Sequence, residues 1–431
     1  MSERVIKIGL LGLGTVGGGV YRVLQGNREL IGRKVGARIE IKRILVRDVS
    51  RDRGLSLPAD LLTTDPEVIL GDPAIEIVVE VMGGTGAALD HVRTALSRGK
   101  SVVTANKDML AVYGKELFAL AQEKGTDLLF EASVAGGIPI IRVLKQCLAA
   151  NRIEMVMGIL NGTTNYMLSK MTAEGRDFQD VLREAQELGY AEADPTNDVE
   201  GYDAARKTAI LASIAFNTRI SFQDVYVEGI SSISAEDITY ATELGYVIKL
   251  LGIAKDTPEG IEVRTHPVLL PQAHPLATVT DSFNAVYVRG DAVGETMFYG
   301  RGAGALPTAS AVTADIMDAA RNIVHRVPGI ISCTCFEERP LKEMGRVRSK
   351  NYLRLKVIDR PGVLAQIARV FGDHQVSLAA VTQKDTEGEK AELVLITHEV
   401  AERNLRDSLA ELEQLAVVEK ICNVLRVEGD G

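Results

Sequence analysis

The sequence predicts an α/β protein in three parts: a doubly wound parallel dinucleotide-binding sheet, an α+β domain, and a C-terminal ferredoxin-like βαββαβ unit. Three observations carry this. An apolar run, VIKIGLL at 5–11, leads directly into GLGTVG and a helical pattern. Further apolar runs alternate with helical patterns to about residue 135, which is the rhythm of a parallel sheet. After residue 350 the order becomes strand, helix, strand, strand, helix, strand.

Taken in order, the run at 5–11 is a buried strand, and the helix after it is marked by Val20, Val23 and Leu24. IEIKRILV at 39–46 completes a βαβ unit. IEIVVEV (75–81), SVVT (101–104) and DLLFEA (127–132) are the next strands, with helices near 86–98 and 110–124 between them. A domain spanning 1–135 follows, completed by a returning helix within about 305–330. Residues 136–304 are expected to form an α+β substrate or oligomerisation domain, with strands at 261–270 and 284–290. A linker at 331–350, rich in mixed charge, separates off a unit at 351–431. Its strands fall at 351–359, 376–383, 391–398 and 417–427, its helices at 361–373 and 402–413, and TEGEK at 386–390 is a turn. That segregation predicts a separate module.

Bulk composition narrows the function classes. With 431 residues, 46% hydrophobic and 25% charged, the chain can build two or three cores. A net charge of −9, from 49 basic and 58 acidic residues, leaves no basic stripe to neutralise a phosphate backbone, so no nucleic-acid partner is expected. Cys147, Cys333, Cys335 and Cys422 form no C-x-x-C pair and no zinc spacing, as expected of a reduced cytoplasmic protein, and Cys333 with Cys335 read as structural. The start, MSER, is unlike a signal peptide, and no apolar stretch approaches about 18 residues, so no membrane association is expected.

In GLGTVG, residues Gly12, Leu13, Gly14, Thr15, Val16 and Gly17 stand where a strand ends and a helix begins. Such a turn brings a pyrophosphate against backbone N–H groups at a helix N-terminus. The second strand ends in Arg47-Asp48. An acid there grips a ribose 2′-hydroxyl and an arginine suits a 2′-phosphate, so the pair favours NADP and leaves NAD open. TANKDML sets Asn106 and Lys107 at the carboxyl edge of the sheet, and position alone leaves open whether Lys107 serves a ligand or faces water.

AEADPTNDVEGYDAARKTAIL, 191–211, places Asp203 and Lys207 four residues apart on one helix face. Such a pair is ordinarily a surface ion pair. Here Ala204 and Ala205 flank it and TAILASIAF continues the helix as apolar, so the helix is buried, where a lysine is costly unless it has chemistry to do.

These residues resemble a known family. GILNGTTNYML (158–168) and AQELGYAEADPTNDVEGYDAARKTAIL (185–211) are similar to homoserine dehydrogenases over residues 5 to about 325, and 351–427, with DRPGVLAQIARVF, resembles an ACT domain. The resemblance implies NAD(P)H-dependent reversible reduction of L-aspartate 4-semialdehyde to L-homoserine, on the way to threonine, methionine and isoleucine. It makes Lys207 the proton donor with Asp203 beside it, and sets Lys107 between nicotinamide and substrate. Glu192 receives the substrate's ammonium group and Asp198 shares its loop. The cofactor residues become Gly12 to Gly17, Arg47, Asn106, Lys107 and Gly304. EASVAGGIP resembles a loop for a monovalent cation, usually sodium, at Glu131, Val134, Gly136 and Ile138; from the residues alone a plain turn stays open. Asp359, Pro361 and Gly362 match an effector turn, with L-threonine as the implied effector, and the chain is implied to form a homodimer or homotetramer.

Two rivals were weighed. A phosphorylating semialdehyde dehydrogenase needs a nucleophilic cysteine, and Cys147, within IIRVLKQCLAA, reads as a helix-core residue. A non-enzymatic sensor of nucleotides or amino acids has no need of Asp203 and Lys207.

Overall fold

The computed structural model describes residues 4–58, 60–327, 329, 333–385 and 389–429. The chain forms two compact units. One comprises Met1–Val156, Arg206–Asp224 and Asn284–Glu338, the other Met157–Ala205, Val225–Phe283 and Arg339–Gly431.

The first unit is built on a six-stranded parallel sheet in the order Leu62–Thr63, Arg38–Leu45, Val5–Leu11, Ile75–Glu80, Ser101–Thr104, Leu128–Leu129. Helices cover both faces of such a sheet, which is why its strands are nearly continuous apolar runs: Ile6, Ile8, Leu10, Ile77 and Val79 are fully buried. The helix Ala305–His325 returns to it, placing Val312, Ile316 and Ala319 in the same core as Val20 of the helix Thr15–Gly26. Two boundaries differ from the sequence reading. The helix expected from 110 runs Lys107–Lys124, because Asn106 caps it by accepting the backbone N–H of Met109 at 3.1 Å. The strand expected at 127–132 shrinks to Leu128–Leu129, because Glu131 leaves the sheet to hold a buried turn. Cys147 is exposed at the end of a π-helical segment, Val143–Cys147, and is no core residue; that pattern looked like an α-helix interior from sequence.

In the second unit the C-terminal ferredoxin-like region shares a sheet with strands that precede the linker. That sheet runs Tyr246–Thr257, Gly260–Pro271, Val418–Val427, Arg348–Ile358, Lys390–Thr397, Leu378–Asp385. The last strand of the ferredoxin-like unit thus pairs in parallel with Gly260–Pro271, Val268 against Arg426 and Leu269 against Val427. Part of the linker joins too: the N–H of Ile261 donates to the carbonyl of Pro340 at 2.9 Å, and that of Lys342 to Ile261 at 2.8 Å. Strand pairing thus runs across the boundary that composition marks. The helices Val363–Asp373 and Glu402–Leu412 bury Ile367, Phe371, Leu405 and Leu412 on one face of this sheet. Of the turn expected at 386–390, residues 386–388 lie outside the described residues.

Candidate active site

In the first unit a cavity of about 790 Å³ opens where Val5–Leu11, Arg38–Leu45 and Ile75–Glu80 end, the ligand position of a doubly wound sheet. Gly12, Leu13, Gly14, Thr15 and Arg47 line it; Val16, Gly17, Asn106, Lys107 and Gly304 do not, although Ala305, next to Gly304, does. Gly12 has φ +103°, which L side chains avoid, and a Cβ on Gly17 would meet the Gly12 carbonyl oxygen at 2.3 Å, so both glycines are required to make the turn. Sequence reasoning missed three further arginines of this lining, Arg22, Arg51 and Arg53, and the acid Asp52 among them. Asp48 is turned to local work. Its carboxylate accepts the N–H and O–H of Ser50 at 2.8 and 2.6 Å, which holds its pKa below the usual carboxylate range. The wall beside it is therefore dominated by guanidinium groups.

Glu80, also unforeseen, is fully buried at the end of its strand. It accepts the N–H groups of Met82 and Gly83 at 2.8 and 3.0 Å and the hydroxyl of Thr104 at 2.6 Å, tying the loop after one strand to TANK after the next. Asn106 adds to this bracing by donating to the carbonyl of Gly84 at 2.7 Å, so its side chain is a loop anchor and helix cap. Lys107 follows as the first residue of the capped helix.

Lys207 sits in the helix Tyr202–Ala215, one turn beyond Asp203. The helices bearing the two lysines are joined beside them: Arg206 Nε lies 3.4 Å from Asp108 Oδ1, one residue along from each lysine. The Arg206 guanidinium also stacks over Phe222 at 4.9 Å. Sequence spacing gave no sign of this brace.

Within the second unit, Asn161 of GILNGTTN does what the motif alone did not reveal. Its Nδ2 donates to Asp198 Oδ1 at 2.7 Å and to Asp203 Oδ2 at 3.0 Å, while its Oδ1 accepts the N–H of Thr164 at 2.9 Å. One buried amide, fixed by capping a helix, thus holds two carboxylates side by side. Glu192 is not brought into this cluster: its side chain is exposed, and its carbonyl accepts from Gln186 at 3.1 Å.

The EASVAGGIP loop is buried at Glu131, Val134 and Ile138. The Glu131 carboxylate accepts three successive backbone N–H groups, of Ile140, Ile141 and Arg142, at 2.6, 2.8 and 2.8 Å. Its own N–H donates to Asp315 at 2.8 Å, and burial, with the Glu131 charge, pushes the pKa of Asp315 up to about 7. Outside helix and strand ladders, no backbone N–H among the described residues donates to the carbonyls of Glu131, Val134, Gly136 or Ile138. Buried backbone carbonyl oxygens suit a hard cation with oxygen ligands, so the donor set fits the expected group. In the C-terminal region, Asp359 accepts from Gln383 at 3.1 Å at the turn that leads through Pro361 and Gly362 into a helix.

A glycine turn at the carboxyl end of a doubly wound parallel sheet, opening on a cavity walled by arginines, defines a dinucleotide-binding protein, and the ferredoxin-like strand order adds a regulatory-type unit. Comparison with known proteins narrows the class. Residues 12–131 match the family model of the homoserine dehydrogenase NAD-binding domain, 139–317 that of homoserine dehydrogenase, and 351–417 that of the ACT domain. Homoserine dehydrogenase of Bacillus subtilis is 46% identical over 99% of both chains. The crystal structure of a homoserine dehydrogenase from Thiobacillus denitrificans superposes with a TM-score of 0.95 at 48% identity, covering 100% of this chain and 99% of that one. A hyperthermophilic archaeal homoserine dehydrogenase in complex with NADPH gives 0.63 at 27% identity, over 73% of this chain and 97% of that one. The chain belongs to the homoserine dehydrogenase family, oxidoreductases acting on a CH–OH group. No helix among the described residues is long and apolar enough to cross a membrane.

Proposed function

We propose that the interconversion of L-aspartate 4-semialdehyde and L-homoserine proceeds here with Lys207 as proton donor and Lys107 as the second cation at the reacting carbonyl. The observation that carries this is the Asp108–Arg206 brace, which fixes the helices bearing both lysines relative to each other. Bound nicotinamide supplies the hydride. Alkoxide charge then develops on the carbonyl oxygen; the Lys207 ammonium stabilises it and delivers a proton, and Lys107 adds a positive charge that is in place before reaction. Asp198 and Asp203, held side by side by Asn161, provide negative charge for the substrate's ammonium group, with Glu192 on the same loop. The direct test is semialdehyde-dependent loss of NADPH absorbance by the purified protein. A protein that binds NADPH but never oxidises it under these conditions would favour the sensor reading.

NADP is the proposed cofactor. Arg47, with Arg51, offers guanidinium groups to a 2′-phosphate, whereas Asp48 is engaged by Ser50 and Arg53 holds the loop through the carbonyls of Asp48 and Arg51. Arg47→Ala should therefore lower kcat/KM for NADPH by about tenfold or more and leave that for NADH within about twofold, one charged hydrogen bond being worth roughly 1.5–3 kcal/mol. An unchanged ratio of the two values would assign the phosphate to other groups. A monovalent cation, sodium by preference, is proposed on the carbonyls of Glu131, Val134, Gly136 and Ile138, where it would stiffen the turn. The assembly is proposed to be a homodimer or homotetramer, which light scattering distinguishes, in a cytoplasmic protein.

L-Threonine is proposed as the effector at Asp359, Pro361 and Gly362. Gly362 has φ +88° with open space where a Cβ would stand, so an aspartate there strains the turn and puts a carboxylate into the approach without a clash in the core. Gly362→Asp should shift the threonine concentration for half inhibition by about 5–150-fold, the range of a coupling of about 1–3 kcal/mol, while basal turnover is kept. Unaltered inhibition would remove this turn from the effector site.

A further inference from the structure

A second cavity, of about 220 Å³, lies in the first unit away from the dinucleotide loop. Its walls are the helices that carry the two lysines, through Leu110, Gly114 and Phe118 on one side and Ile210 and Ile214 on the other, with Phe130 behind. Four polar side chains, Lys145, Arg219, Cys333 and Cys335, converge on this apolar space. Arg219 Nη2 lies 3.2 Å from the Sγ of Cys333. The Lys145 ammonium stands 5.6 and 6.0 Å from the ring centres of Phe130 and Phe118, with no hydrogen-bond partner among the described residues. Cys335, two residues on, lies 3.6 Å from the carbonyl of Ser213 on the lysine-bearing helix.

The two thiols are chemically unequal. The neighbouring Cys335, with the charges of Arg219 and Lys145, holds the pKa of Cys333 below the usual thiol range against the effect of burial. Cys335 is pushed the other way, by its neighbour Cys333 and by burial. A partly exposed sulfur in contact with one guanidinium and near the Lys145 ammonium is the environment of a reactive cysteine, and a pair serving only to pack would need neither cation. The sequence spacing, C-x-C without a partner, suggested only a structural role.

We propose that Cys333 is a modification site, a nucleophile toward aromatic or other small anionic disulfides, and that filling its pocket slows the enzyme by displacing the helices bearing Lys107 and Lys207. The aromatic walls suit an aryl ring and the cations suit its carboxylate. The step balances without a further oxidant. The Cys333 sulfur attacks one sulfur of the disulfide, the new S–S bond forms as the reagent's own breaks, and the other half leaves as a thiolate, so the reagent is reduced as Cys333 is oxidised.

The test treats the full-length protein at pH 6 with 5,5′-dithiobis(2-nitrobenzoate), follows thionitrobenzoate release, and maps the modified peptide by mass spectrometry. The expected result is that Cys333 reacts first, as the mixed disulfide or as its exchange product with Cys335, at least about tenfold faster than the exposed Cys147. Arg219→Gln and Lys145→Met should each slow it by about threefold or more at that pH. Dehydrogenase activity should fall in step with labelling of Cys333 and return with dithiothreitol, whereas Cys333→Ser should keep its activity in the presence of the reagent. First labelling at Cys147 or Cys422, or an enzyme labelled at Cys333 that turns over at the full rate, overturns the proposal. The mapping needs no variant, so it stands even where a substitution fails to fold.

Discussion

Lys207→Ala should lower kcat by at least about 10²-fold while NADPH affinity stays close to that of the parent protein. A positioned general acid contributes about 10²–10⁴-fold because it acts on charge that exists only in the transition state. Cofactor binding should be spared because Lys207 does not line the dinucleotide cavity. Alanine is the strongest helix former, so the helix Tyr202–Ala215 should persist, and with it the Arg206–Asp108 pair that braces it. Loss of rate with an unchanged thermal midpoint and an unchanged NADPH titration is therefore the specific outcome. Near-parental turnover would sink the assignment, and joint loss of turnover and fold would make Lys207 a packing residue. Lys107→Ala should reduce kcat comparably, since it opens its helix and takes no part in the cap made by Asn106.

What could be read from the sequence, and what could not, follows from the range of the interactions. The parallel sheet was legible because a strand buried on both faces must be apolar throughout, and VIKIGLL, IEIVVEV and SVVT are. The ferredoxin-like strand order was legible for the same local reason. Helix starts were less so: the apolar period begins near Leu110, but the cap that sets the start is one asparagine side chain at 106. Site residues divide similarly. Lysines in long motifs could be found, whereas Asn161, Glu80 and the Asp108–Arg206 pair act across 20 to 100 residues of chain and carry no periodic sign. The strand pairing across the linker was hidden for this reason too. A charge-rich linker is visible in composition, but pairing of Val268 with Arg426 across it is not.

That pairing yields the second large expected effect, at Arg354. Its guanidinium donates to Asp237 Oδ1 at 2.7 Å and to the Ser234 hydroxyl at 2.9 Å, and lies 3.3 Å from Glu392. Asp237 is fully buried and also receives Asn423 at 2.8 Å, so the ACT strands and the helix Ala235–Glu243 share one polar network. Arg354→Ala leaves the Asp237 carboxylate without its counter-charge, and breaking a buried pair on one side costs about 3–5 kcal/mol. Denaturant unfolding should show a loss of that size. Arg354→Met combined with Asp237→Asn should recover much of it, because no unpaired charge then remains. A loss under about 1 kcal/mol for Arg354→Ala would mean that the network is solvated and the surface-pair range applies. The same reasoning sets the fate of a chain cut after residue 330. It loses Arg354, and it loses Glu428, whose carboxylate lies 2.7 Å from Arg264, a side chain only 1% exposed that otherwise keeps Glu262 at 3.5 Å. It also bares the edge of Gly260–Pro271 that Val418–Val427 covers. Such a protein should be recovered aggregated and inactive. A soluble truncated chain with full dehydrogenase turnover would instead make the ACT region an appendage and the shared sheet dispensable.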